Sequence, residues 1–183
     1  SLSEAVQAQT LNPTGISLQN AAIATRSGVD NLPNNAMTLT GGKTVSSDGA
    51  EIVIDLLLCD INTIKRLRGL GRSTTDTYLT ITSGSLKDIA GNDLAAITDG
   101  TALKASGYVG DTQKPRLESW SMLMNANGPP LNVELKFSEV VDIEKFDVTK
   151  VQLQDKETRD ANTNHMRLTG GTVTPGDKCC PAE

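Results

Sequence analysis

Leu131-Asn132-Val133-Glu134-Leu135-Lys136-Phe137 places an apolar residue at every odd position and a polar one at every even position. Successive side chains of a strand point to opposite faces, so this stretch predicts a half-buried strand with its odd residues turned to a core. Ile52, Ile54, Leu56 and Leu58 form a second row, with Val53 and Leu57 adding apolar groups on the other face. That pattern predicts a more central strand over residues 52–58. Shorter strands are expected at Ile16–Leu18, Met37–Leu39, Leu79–Ile81 and Val151–Leu153, with a further strand from Leu117 to Met124. One segment reads as helical. Asp60 suits an N-cap, Ile61, Ile64 and Leu67 or Arg68 follow at helical spacing, and Gly69 and Gly71 end the run. The expectation is one short crossing helix, about 60–68, between strands.

Aromatic residues make up 3% of the 183, so Val, Ile and Leu must fill the core, which suits a pleated sheet. Gly, Ser, Thr, Asn and Asp separate the apolar runs, as many turns require. The net charge of −5 opposes a phosphate backbone, so no nucleic-acid partner is expected. The densest basic group, Lys65, Arg66, Arg68 and Arg72, has no aromatic partner for a base and reads as a solvated helix face and loop. No run approaches the roughly 20 apolar residues of a membrane helix, so no membrane insertion is expected. Ser1-Leu2-Ser3-Glu4 has neither an initiator Met nor a signal-peptide pattern. The chain is therefore expected to be an internal piece of a longer protein, and missing targeting signals say nothing of its compartment.

The chain matches itself. Leu2-Ser3-Glu4 corresponds to Phe137-Ser138-Glu139, an offset of 135 residues (137 less 2). At the same offset, Thr14, Ile16, Leu18 and Gln19 correspond to Thr149, Val151, Leu153 and Gln154. Met37, Leu39, Thr40, Gly41 and Gly42 correspond to Met166, Leu168, Thr169, Gly170 and Gly171 at an offset of 129 (166 less 37). Thr44-Val45 then corresponds to Thr172-Val173. Strand-like blocks persist while the loop between them changes by six residues, as a shared fold predicts. The junction is expected at Gly110-Asp111-Thr112-Gln113-Lys114-Pro115. Residues 1–110 then form a repeat lacking its first strands, and residues 111–183 the start of the next, lacking its last ones.

Three motifs carry a family resemblance. Asp111-Thr112-Gln113-Lys114-Pro115-Arg116-Leu117 resembles the DTTPPxL opening of bacterial and algal immunoglobulin-like surface repeats. Leu131 to Glu139 resembles their LxLxFSE strand. Leu86-Lys87-Asp88-Ile89-Ala90-Gly91-Asn92-Asp93-Leu94 resembles their xxDxAGNxL turn, which also occurs in S-layer repeats. The resemblance spans nearly the whole chain. It implies an all-β architecture of tandem immunoglobulin-like β-sandwiches, as in S-layer, adhesin and flagellar-hair-like (mastigoneme) proteins. It implies an extracellular or cell-surface location and no catalytic residues.

Several groups invite a chemical reading. Asp88, Asn92, Asp93 and Asp99 offer hard oxygen ligands suited to Ca²⁺, against the plainer reading of Asx-stabilised turns with Gly91 at positive φ. Asp111 with Glu4 or Glu139 at the junction is a second such group. No other cofactor is expected. Cys59, Cys179 and Cys180 fit no zinc or haem spacing. They admit a strained vicinal bridge between Cys179 and Cys180, a bond from Cys179 or Cys180 to Cys59, a bond to a neighbouring chain, or free buried thiols. His165 is the only histidine and aligns with Ala36, so the repeat does not need it. Glu4 and Glu139 fall in separate repeats, which opposes a paired-carboxylate hydrolase. Gly41-Gly42 and Gly170-Gly171 lack the pattern of a phosphate loop and read as a turn or bulge after a strand. No Asn-x-Ser/Thr acceptor is present, which leaves O-linked glycosylation of the abundant Ser and Thr as the route to a glycoprotein.

The expected function is a structural repeat of an extracellular filament, surface layer or appendage, and not an enzyme. Its partners would be neighbouring repeats or copies of itself in a polymer. One alternative is an adhesin or carbohydrate-binding module using loops such as Ala21–Pro33, and another is an accessory domain of a secreted enzyme.

Overall fold

A computed structural model describes residues 3–24, 36–67, 69–124, 132–158 and 160–176. The protein is mainly β, with several small antiparallel sheets and one helix. It divides into two compact units between Gln113 and Lys114, inside the expected junction stretch.

Unit 1 holds strands β1 (Val6–Gln7), β2 (Ile16–Gln19), β3 (Ala36–Thr38), β4 (Gly42–Lys43), β5 (Asp55–Leu56), β6 (Tyr78–Ile81), β7 (Lys87–Asp88) and β8 (Leu103–Lys104). Four of them form a sheet in the order β3-β2-β6-β8, and β1 pairs β7 while β4 pairs β5. The register across the sheet centre is Ile16 opposite Ile81, Ser17 opposite Thr80, Leu18 opposite Leu79 and Gln19 opposite Tyr78. Directly opposed residues share a face. The apolar face therefore gathers Ile16, Leu39 and Ile81, all buried, with Leu11, Met37, Ile54, Leu56, Leu79, Leu94 and Ile97 packed on them.

Helix α1 spans Leu58–Arg66, two residues earlier at each end than expected from the sequence, and Arg68 lies outside the described residues. Asp60 is not its cap. Leu57 takes the cap position without a side-chain bond, and Asp60 sits inside the first turn, 1% exposed. The strand expected over residues 52–58 is ordered as a ladder only at Asp55–Leu56. Ile54 and Leu56 do face the core, but Val53, Leu57 and Leu58 are exposed, so this is a half-buried edge rather than a central strand. The alternating row ended because Leu58 already belongs to the helix. Gly42 has φ +141, and a Cβ there would lie 2.9 Å from the Asp55 carbonyl oxygen. Glycine is thus required where the chain turns from β3 into β4.

Unit 2 holds β9 (Leu117–Leu123), β10 (Asn132–Phe137), β11 (Gln152–Gln154) and β12 (His165–Arg167). They form two separate hairpins, β9 with β10 and β11 with β12. Leu131 of the opening stretch lies outside the described residues. Its remainder alternates as expected, with Val133, Leu135 and Phe137 half-buried and Asn132, Glu134 and Lys136 exposed.

Candidate functional site

The stretches that match in sequence carry matching elements. In unit 1, 3-10 turns at Ala8–Thr10 and Pro13–Gly15 lead into β2, and in unit 2, turns at Ile143–Lys145 and Val148–Lys150 lead into β11. Asn12 Oδ1 accepts from the Thr14 amide (3.2 Å) and hydroxyl (2.7 Å). Asp147 Oδ1 does the same for Thr149 (3.0 and 2.6 Å). Gln19 Nε2 donates to the carbonyls of Ala21 and Ala22, and Gln154 Nε2 to those of Lys156 and Glu157. The Leu39 amide bonds the Ile16 carbonyl, and the Leu168 amide bonds the Val151 carbonyl. Leu18 opposes Met37 as Leu153 opposes Met166.

The two copies differ in what lies beside the central strand. β2 is paired on both edges, by β3 and β6. Among the described residues β11 is paired on one edge only, by β12. Burial follows. Gln19 is 3% exposed while Gln154 is exposed, and Leu39 is buried while Leu168 is half-buried. Met37 is half-buried, whereas Met166 is 57% exposed.

The β9–β10 hairpin has a comparable character. Met122 opposes Val133, Trp120 opposes Leu135 and Leu117 opposes Phe137, so these six form one apolar face. Ser119, Lys136, Ser121 and Glu134 form the other. Trp120 is 53% exposed and Leu117 51%. Among the described residues of unit 2 no apolar side chain is buried, although Phe137 meets Phe146 edge-on at 6.3 Å. A two-stranded hairpin on its own is marginal in water.

The candidate calcium ligands are engaged locally. Asp88 accepts from the Asn92 amide and side chain, both at 2.7 Å, around Gly91 at φ +90. The Asn92 side chain, then its amide, hold the Asp88 carboxyl below the usual carboxylate range. Asp93 pairs with Lys87. Asp99 accepts from the Ala24 amide (2.7 Å) and Gln19 Nε2 (3.1 Å). Asp111 pairs with Lys65 at 2.6 Å and accepts from the Gln113 amide. A shallow depression of about 380 Å³ beside the Asp88 turn is lined by Glu4, Ala5, Asp88, Ile89 and Ala90. Among the described residues no three His, Cys, Asp or Glu side chains gather around one point.

The same device recurs elsewhere. The Thr149 hydroxyl and amide hold Asp147 below its usual range, and the Thr163 hydroxyl and Lys156 do so for Asp160. At Asp76 burial pushes the carboxyl up, but hydrogen bonds from the amides of Arg72 and Ser73 and the side chains of Thr77 and Ser73 together make the net shift downward.

Cys59 is disulfide-bonded, and Cys179 and Cys180 lie outside the described residues. His165 opens β12 and is exposed. Of the loop Ala21–Pro33, residues 25–33 lie outside the described residues. Among the described residues no helix is long and apolar enough to cross a membrane. The residue that sequence reasoning misplaced is Asp60, whose carboxylate accepts from the Thr40 amide (3.0 Å) and hydroxyl (2.9 Å) and ties helix α1 to the strand-following loop. No family model matches the chain, and no curated protein or solved structure matches it.

Proposed function

We propose that the chain is a structural segment of an extracellular or cell-surface protein, in which immunoglobulin-like β-sandwich repeats stack into a filament, surface layer or appendage. It is not an enzyme on this reading. The supporting observation is the reuse of one local architecture at a fixed offset, down to the caps at Asn12 and Asp147 and the amide bonds of Gln19 and Gln154. A catalyst needs one preorganised constellation of groups, whereas a load-bearing array needs one fold used many times. The carboxylates fit this role as turn fasteners, with no cofactor required. The partners are neighbouring repeats or further copies of the chain.

The test is immunogold electron microscopy of intact producing cells with antibody raised against the chain. Regular labelling along surface filaments or a surface layer is the expected result. Labelling confined to the cell interior would remove the reading. A glycan array on the same protein examines the adhesin alternative, since saturable binding of one sugar class would favour that alternative over a purely mechanical role.

A further inference from the structure

We propose that Asp111 is a clamp that fixes the direction in which the chain leaves unit 1, and that its ion pair with Lys65 makes the clamp sensitive to ionic strength. This deepens the structural reading and rests on it for biological meaning, because a junction that stiffens or slackens sets the stiffness of a stack. The Ala105 amide bonds the Thr77 carbonyl within unit 1, and the Arg116 amide and carbonyl bond Ser138 within unit 2. Residues 106–115, between these anchors, are all exposed, with Val109 at 95%. Apolar burial therefore does not order them. A polar, glycine-containing segment of this kind behaves as a flexible coil unless a specific contact docks it.

Asp111 supplies such a contact with both carboxylate oxygens. Oδ2 meets Lys65 Nζ at 2.6 Å, and Oδ1 accepts from the Gln113 amide at 2.9 Å. The first contact ties the segment to the last turn of helix α1. The second closes an Asx turn that ends at Gln113, the last residue of unit 1 before the boundary. One carboxylate thus joins the helix to the exit of the unit. The helix places its partner. Ile61 and Ile64 are half-buried while Lys65 stands on the exposed side, where a cation also suits the C-terminal end of the helix dipole. The two side chains keep 30% and 40% exposure, so counterions reach the pair. A pair of this kind is too weak to hold up a fold. It is strong enough to shift a linker between docked and loose states by up to about fivefold.

The test measures backbone order parameters of the full chain by NMR relaxation at low salt. The Thr112 and Gln113 amides should give values near about 0.8, close to a rigid backbone. Lys65→Gln should lower them toward about 0.6, the range of a flexible segment. Asp111→Asn keeps an acceptor for the Gln113 amide but loses the charge, and it should produce the same loss without touching the helix. Lys65→Arg keeps the charge and should stay near the native values. Raising NaCl to about 1 M, where the screening length falls to about 3 Å, should loosen the native chain and leave the two neutral variants as they are. The melting of unit 1, followed by methyl signals of Ile16, Leu39 and Ile81, should not move in any variant, which separates a clamp from a general loss of stability. Thr112 and Gln113 already flexible in the native chain, unchanged order in both neutral variants, or a loss in Lys65→Arg equal to that in Lys65→Gln would each overturn the proposal. The assay reads the junction alone, so it can fail while surface labelling succeeds, and the reverse.

Discussion

Asp60 reaches from the first turn of helix α1 to accept both the amide and the hydroxyl of Thr40, at 3.0 and 2.9 Å. The carboxylate is 1% exposed, so these bonds stand in place of water. They fix the helix against the loop that carries Gly41 and Gly42 into β4. Asp60→Ala would strand the Thr40 amide and should cost about 1–3 kcal/mol. Thr40→Val removes only the hydroxyl bond and should cost about 1 kcal/mol. Urea denaturation of the two variants and their combination checks this. Because the residues are direct partners, the double variant should lose less than the two single losses added together.

Acid should loosen the Asx turns before it unfolds the sheets. Asp88, Asp147 and Asp160 all have folded carboxyls below their ordinary range. A depressed folded pKa means the turn is favoured above the unfolded carboxylate value, about 4. That contribution is lost as pH falls through the lower folded value. NMR titration of the Asn92 amide should therefore report Asp88 titrating below an unstructured aspartate. Asn92→Ala removes the largest cause and should move the Asp88 midpoint upward. An unchanged midpoint would show that the backbone amide alone holds the carboxylate.

The alternation at 132–137 and the repeat between β2 and β11 were legible in the sequence because both rest on side-chain periodicity. The helix boundaries were less so. Leu58 continues the apolar row of Ile52, Ile54 and Leu56, and a row of that kind looks the same whether its last member ends a strand or starts a helix. The partnership of Asp60 with Thr40 links positions 20 residues apart, and a local cap reading had no means of finding it. The difference in burial between Gln19 and Gln154 was also hidden, because the two read alike and differ only in the strands that flank them among the described residues.

The two matched glycines should respond differently to the same change. Gly42 and Gly171 have φ of +141 and +153, so alanine is strained at both. At Gly42 the new Cβ would also meet the Asp55 carbonyl oxygen at 2.9 Å, while at Gly171 the nearest atom is Val148 Cγ1 at 3.8 Å. Strain alone costs roughly 1–2 kcal/mol for an alanine in the left-handed region. Gly42→Ala should lower the melting temperature of unit 1 by more than Gly171→Ala lowers that of unit 2. Equal shifts would mean that β5 moves aside freely.

Added Ca²⁺ should leave the melting temperature unchanged. Asp88 is bonded to Asn92, Asp93 to Lys87, Asp99 to Gln19 and Ala24, and Asp111 to Lys65. An ion would have to displace these partners, and a hard cation wants six to eight oxygens around it. Calorimetric heat, or a melting temperature that rises with Ca²⁺, would restore the metal reading for these residues.

Trp120 is the only tryptophan, and it lies on the apolar face of the β9–β10 hairpin opposite Leu135. Its fluorescence therefore reports unit 2 alone. At 53% exposure the indole should emit at long wavelength and be quenched by iodide in the native protein. Unit 1 buries Val6, Ile16, Leu39, Leu70, Ile81 and Leu86, whereas the described part of unit 2 buries no apolar side chain. Apolar burial is the main favourable term in folding, so the two units should melt separately, unit 2 first. The Trp120 signal should change at a lower temperature than methyl NMR signals from Ile16, Leu39 and Ile81. Coincident transitions would instead mean that the two units unfold as one cooperative body.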